Sequence, residues 1–177
     1  MEEIAQLECE RRSLFDSLSL NFLTKLENSK EISFVEFRSE KGASIDQIHS
    51  WEKANEPYLL PIDLTSFYSI FNGFSLRWDV SLGQKNVTVG EIKLNDLNEL
   101  RKVESSHLAS FIMNSEADVG DIILVYNYSL SHETDGDHPH QSVKTEIWFR
   151  DSALNWYYMC STFKHLFRLM ITHLGNF

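Results

Sequence analysis

Thr145-Glu146-Ile147-Trp148-Phe149-Arg150-Asp151 is a short β-rich run that ends in Asp151-Ser152, a pair suited to starting a helix. From there to Gly175, Trp156, Met159, Phe163, Leu166, Phe167, Met170 and Leu174 recur three or four residues apart, the stripe a helix buries against a sheet. The pattern predicts a strand over 143–149 followed by one long amphipathic helix that stops at Gly175. Lys164, His165, Arg168 and His173 then fall in its later turns, where positive charge complements the helix dipole. The piece carries no evident catalytic group and is built for packing and docking.

Working outward, Phe74, Leu76, Trp78, Val80 and Leu82 alternate with polar residues, and Gly83-Gln84-Lys85-Asn86 can turn the chain into a second strand over 87–92. Residues 122–128 and 143–149 form two more strands around the polar stretch Ser129 to Ser142. A weaker strand covers 32–38. Ser44 with Gln47 reads as a capping box opening a helix through Trp51, which Asn55-Glu56-Pro57 ends. Pro61 suits the first turn of a helix over 62–71, with Asn72-Gly73 as its stop, and Asn95-Asp96 caps a short helix through Lys102. Strands grouped between flanking helices, without a βαβ rhythm, give an α+β class: a largely antiparallel sheet packed on helices. Ile4, Leu7, Leu14, Phe15, Leu18, Phe22 and Leu26 make residues 1–30 an amphipathic helix whose stripe Arg11 interrupts. It either packs on the domain formed by 31–177, the favoured arrangement, or offers its apolar face to a partner helix.

The 177 residues carry a net charge of −10 and 42% hydrophobic side chains, sufficient for one compact domain. Residues 1–140 hold 12 basic against 24 acidic groups, whereas 141–177 hold 4 against 2. Such a chain repels nucleic acid and anionic membranes, and only the last helix offers a basic patch. No apolar run is long enough to span a bilayer, and the start Met1-Glu2-Glu3 lacks signal-peptide character, so a cytoplasmic location is expected. Cys9 and Cys160 have no close-spaced partner and are expected to be reduced thiols.

His132, Glu133, Asp135, Asp137, His138 and His140 offer metal-ligand chemistry, but they match neither a calcium-loop nor a structural zinc pattern, and a solvated hairpin loop accounts for them. No glycine-rich phosphate loop or nucleophile elbow is present, and Cys160 with His165, five apart, would point to different sides of a helix. Asp63, Asp79 and Glu146 have no partner evident from spacing. No catalytic, cofactor-binding or metal residue is assigned, and no cofactor is expected. A small-molecule enzyme would instead require a polar pocket with convergent titratable groups.

Residues 145–158 and Arg168-Leu169-Met170-Ile171-Thr172-His173-Leu174-Gly175 resemble the tubulin polyglutamylase complex subunit 2 family. Ser50 to Asn55, Leu60 to Leu64, Phe67-Tyr68, Asn72-Gly73-Phe74 and Trp78 match it in the same order, so the resemblance spans roughly 44–175. The Leu-Pro, Phe-Tyr and Asn-Gly core is similar to the wider SUKH superfamily. Family sequences usually run on past the last motif, whereas this one stops at Phe177, and the stretch Glu104 to Gly120 matches them poorly. The resemblance implies a single SUKH-like domain acting as a non-catalytic scaffold. Its partners would be a tubulin-tyrosine-ligase-like glutamylase and other subunits, with microtubules reached indirectly and a place at microtubules, the centrosome or the basal body. A SUKH-like binding module with an unrelated partner is the alternative. Lys164, His165 and Arg168, with Trp156 and Trp78 as aromatic anchors, are the candidate partner-binding residues. Each tryptophan alone reads first as core.

Overall fold

The computed structural model describes residues 2–103, 108–130 and 141–173. The predicted His132–His140 cluster and the Gly175 helix stop lie outside them. Two N-terminal helices, α1 (Glu2–Leu18) and α2 (Phe22–Asn28), lead into β1 (Ile32–Lys41), α3 (Ile45–Ala54) and α4 (Ile62–Tyr68). Then come β2 (Phe71–Leu82), β3 (Lys85–Leu94), a single 3-10 turn at Leu97–Glu99, β4 (Arg101–Lys102), β5 (Ala109–Glu116) and β6 (Gly120–Leu130). The chain closes with β7 (Gln141–Asp151), β8 (Trp156–Cys160) and α5 (Phe163–Thr172). All strand pairs are antiparallel, in one sheet of order β1-β2-β3 and one of order β4-β5-β6-β7-β8. The α+β class expected from the sequence is the one that forms. One hydrophobic core takes residues from both sheets and all five helices.

Several local signals behave as their chemistry dictates. The Ser44 hydroxyl accepts the Gln47 amide at 3.2 Å while the Gln47 side chain accepts the Ser44 amide at 2.8 Å, completing the capping box. Gly83 takes a positive φ in the β2–β3 turn. Asn72-Gly73, expected to end a helix, instead lies inside β2. The Asn72 side-chain Oδ1 accepts the Leu97 amide at 3.1 Å, and a side chain on Gly73 would strike the Asp96 backbone. Asp96 caps only the 3-10 turn, after which Arg101 and Lys102 join the sheet rather than extend a helix.

The long C-terminal helix is corrected. Asp151 does not cap a helix; its carboxylate accepts the Asn155 amide at 2.8 Å and the Asn155 side chain at 3.0 Å. Leu154 adopts φ 67° inside this turn. Closing it sends Trp156 to Cys160 back along β7 as β8, and Thr162, whose hydroxyl accepts the His165 amide at 3.3 Å, becomes the true cap of a ten-residue α5.

The predicted N-terminal helix is likewise two. The Asn21 amide bonds the Asp16 carbonyl at 2.7 Å across Leu20, a Schellman-type stop with leucine at the left-handed position that glycine normally holds. The turn is heavily tied: Lys25 Nζ donates to the Leu20 carbonyl at 3.1 Å, and Asp16 Oδ1 accepts the Thr24 amide at 3.0 Å, capping α2 from the end of α1. This break divides the apolar stripe. Phe15 is fully buried and Phe22, Leu23 and Leu26 join the core, whereas Leu7, Leu14 and Leu18 are 43–49% exposed.

Two stability predictions follow from these turns. Leu20 is 70% exposed. Relieving a left-handed leucine should therefore gain more than its side chain loses, so Leu20→Gly should raise the unfolding free energy by about 0.5–1 kcal/mol. A lowered urea midpoint would contradict this. Hydrogen bonds from the Asn155 side chain and amide hold the Asp151 carboxyl below the ordinary carboxylate range, against the opposing pull of its partial burial. Its stabilising effect is then complete above about pH 4 and fades as pH falls through the lower folded value. Asp151→Ala should depress Tm at neutral pH, with the gap to the parent narrowing toward about pH 3; a gap independent of pH would refute the assignment.

Candidate docking groove

Of the five candidate partner-binding residues, Lys164 and Arg168 are brought together and the others are not. Trp78 is 2% exposed, its ring lying on Gly90, where a Cβ would stand 2.0 Å from it, and edge-on to Phe22 at 5.6 Å. It is the seat of α2 on the three-stranded sheet, a core group. Trp156 is half-buried on β8 beneath the Arg150 guanidinium, 5.6 Å from its ring centre. Strand alternation puts it with Trp148, Ile123 and Val125 on the outer face of the five-stranded sheet, away from α5. His165 is exposed but does not line the groove.

Lys164 and Arg168, one helical turn apart on α5, stand at the mouth of a groove of about 670 Å³ between the α1–α2 turn, α4 and α5. Phe67, Phe163 and Phe167 form its floor, Ile70 and Ile171 its sides, and Leu18 and Leu20 its far lip. The floor is the outer surface of an aromatic cluster: Phe67 lies 4.8 Å from Phe163 and 5.5 Å from Phe167, and Phe15 lies 5.9 Å from Phe167.

Asp63 fixes the groove's other wall. Its Oδ1 accepts the Leu64 amide at 3.0 Å in the first turn of α4, and its Oδ2 accepts the Lys164 amide at 2.9 Å in the first turn of α5. One carboxylate thus sits at the positive ends of two helices. Cys160 lies nearby, its thiol donating to the Thr162 carbonyl at 3.4 Å. Burial, and secondarily the Asp63 charge, push this thiol up, toward the unreactive protonated form.

The positions of the cations are themselves informative. Because α5 begins at Phe163, Lys164 and His165 occupy its first turn, not its later turns, and α5 has no basic residue in its last turn. Complementing the dipole therefore does not explain them: a surface cation at a helix N-terminus costs roughly 0.3–1 kcal/mol. Among the described residues neither Lys164 nor Arg168 has an ion-pair partner. The groove is an apolar trough with a basic edge on an acidic chain, suited to holding a surface rather than to acid–base chemistry. The sequence pointed to Lys164 and Arg168 but missed Leu18, Leu20 and Phe67, whose convergence is tertiary. No signal marked the α1–α2 turn, because Leu18, Phe22 and Leu26 keep four-residue spacing across it and no glycine stands there.

No family model and no solved structure matches the chain, so the SUKH likeness rests on sequence motifs alone. Curated proteins do match. The Rattus norvegicus protein named tubulin polyglutamylase complex subunit 2 is 28% identical over 197 residues, covering 90% of this chain and 62% of the relative. The Homo sapiens protein of that name is 28% identical over 211 residues, covering 99% and 67%, and the Mus musculus protein 28% over 213, covering 99% and 68%. The chain spans 62–68% of the length of these relatives. The resemblance carried by the Trp51, Leu60-Pro61 and Ile147-Trp148-Phe149 motifs thus extends along 90–99% of the chain, which is similar throughout to proteins named tubulin polyglutamylase complex subunit 2.

Proposed function

We propose that this chain is a non-catalytic accessory subunit of a tubulin polyglutamylase complex, supporting glutamate addition to tubulin tails by a separate, tubulin-tyrosine-ligase-like subunit. The observation that carries this is the similarity over 90–99% of the chain to proteins whose name makes them subunits of such a complex. The groove supports the same role: its floor is aromatic and aliphatic, its edge carries Lys164 and Arg168, and the nearby Cys160 thiol is pushed toward the protonated form. Joining glutamate to a tubulin tail needs ATP, Mg²⁺ and a phosphate-binding apparatus, and residues 1–177 carry no phosphate-cradling signature. The chain contributes shape and contact area, placing the ligase in the cytoplasm on microtubules, which it reaches through the other subunits.

Affinity purification of the tagged chain from ciliated or neuron-like cells, followed by mass spectrometry and a glutamylation assay of the eluate, tests this. A ligase-like enzyme and tubulin glutamylating activity should be recovered together, while the purified chain alone with ATP, glutamate and tubulin should be inactive. Recovery of unrelated proteins only would favour a binding module with another client, and activity of the chain alone would overturn the accessory role.

A further inference from the structure

We propose that the groove and the exposed face of α1 form one continuous surface that receives an amphipathic helix of a partner subunit. That helix is apolar along one side and acidic where it meets α5. The proposal rests on the accessory-subunit role and names the surface and the chemistry of what it binds.

Leu7, Leu14 and Leu18 lie seven and four residues apart, so they share one side of α1, and all three are exposed. Leu18 is also a lip of the groove, so the stripe runs into it. Spacing of this kind is the seam one helix offers another. The 17 residues of α1 give it a length of about 25 Å, matching a partner segment of roughly 17 residues. Leu20 extends the seam. A large aliphatic side chain in the left-handed region, 70% exposed and held there by the Lys25, Asp16 and Asn21 hydrogen bonds, serves no packing purpose within the chain. On the groove's lip it is a rigidly displayed anchor.

Charge selects the partner. Along α1, Glu2, Glu3, Glu8, Glu10 and Asp16 stand against Arg11 and Arg12, so this helix offers its leucines rather than a cationic surface, and the attraction for acidic groups lies at α5. At the groove, Lys164 and Arg168 stand without ion-pair partners among the described residues, while Asp63 is engaged by two helix N-termini. Contact-range pairing with these two cations outweighs the repulsion of the distant acidic surface, which salt screens within about 8 Å at physiological ionic strength. A purely acidic tail with no apolar side would leave Leu18, Leu20 and the phenylalanine floor uncovered. A second copy of the chain would bring another net charge of −10 against the first.

The test uses the full chain and three labelled synthetic helical peptides of about 18 residues, read by fluorescence anisotropy. One has leucine at seam positions with flanking glutamates, one replaces those glutamates by lysine, and one is glutamate-rich without leucine. The first should bind about tenfold or more tighter than either of the others, a difference of about 1.4 kcal/mol, and weaken as salt rises. Lys164→Glu with Arg168→Glu should reverse the preference between the glutamate and lysine peptides. Leu20→Gly should weaken binding severalfold while leaving the fold at least as stable, so its effect is not unfolding. Equal binding of the three peptides, no effect of Leu20→Gly, or a chain already dimeric through α1 in sedimentation would overturn the proposal. If a glutamylase complex co-purifies while the peptides fail, this surface assignment falls and the accessory role stands. If the peptides bind as expected and no such complex is recovered, the surface stands and the role falls.

Discussion

The clasp of phenylalanines around the start of β2 is the contact on which the rest of the molecule depends. Phe71 and Phe74 rise from the strand, Phe67 comes down from α4, Phe163 and Phe167 from α5, and Phe15 from α1, with ring centres mostly 5–6 Å apart and planes tilted or edge-on. Such pairs contribute about 0.5–1.5 kcal/mol each beyond the area they bury. Here they also do something geometric. Phe15 is the only buried hydrophobic residue of α1 among those described, so the helix enters the core at one residue, is tied to α2 by the Arg12–Glu27 and Asp16–Thr24 contacts, and leaves its leucines outward. The same rings, seen from outside, are the groove's floor. Core and docking surface are two sides of one cluster, and a change in one propagates to the other through close packing.

Much of the architecture was legible because local chemistry and tertiary structure agreed. Strict alternation from Phe74 to Leu82, glycine at the turn, and the Ser44–Gln47 reciprocal bonds each specify one outcome whatever packs nearby. The C-terminal misreading arose where two periods fit the same residues. Trp156 and Met159 sit three apart as on a helix, yet Trp156, Tyr158 and Cys160 also alternate as on a strand, and the long run of apolar positions hid the Thr162 cap within it. Asp151 is a good helix cap and an equally good turn residue; Asn155, four positions on, decided between them. The groove was not legible at all, since its walls come from residues 18–20, 63–70 and 163–172, brought together only by the phenylalanine cluster.

Two features that local rules disfavour lie at the groove: a left-handed leucine at the end of α1, and a lysine at the positive end of α5. Helix starts follow the rules closely, with Asp16 and Asp63 each supplying a carboxylate to one. A third such feature, the left-handed Leu154, lies in the β7–β8 turn away from the groove, where the Asp151–Asn155 bonds hold it.

Asp63 gives that groove a particular mechanical character. Asp63 belongs to α4 and accepts an amide of the first turn of α5, so the two helices are tied at that end by a hydrogen bond whose loss would leave the start of α5 short of a partner while Asp63 kept its local bond to Leu64. The groove is thus pinned at its Asp63 end, where this bond lies. At that end the spacing of α4 and α5 is set by a side chain of the chain itself, whatever the groove holds.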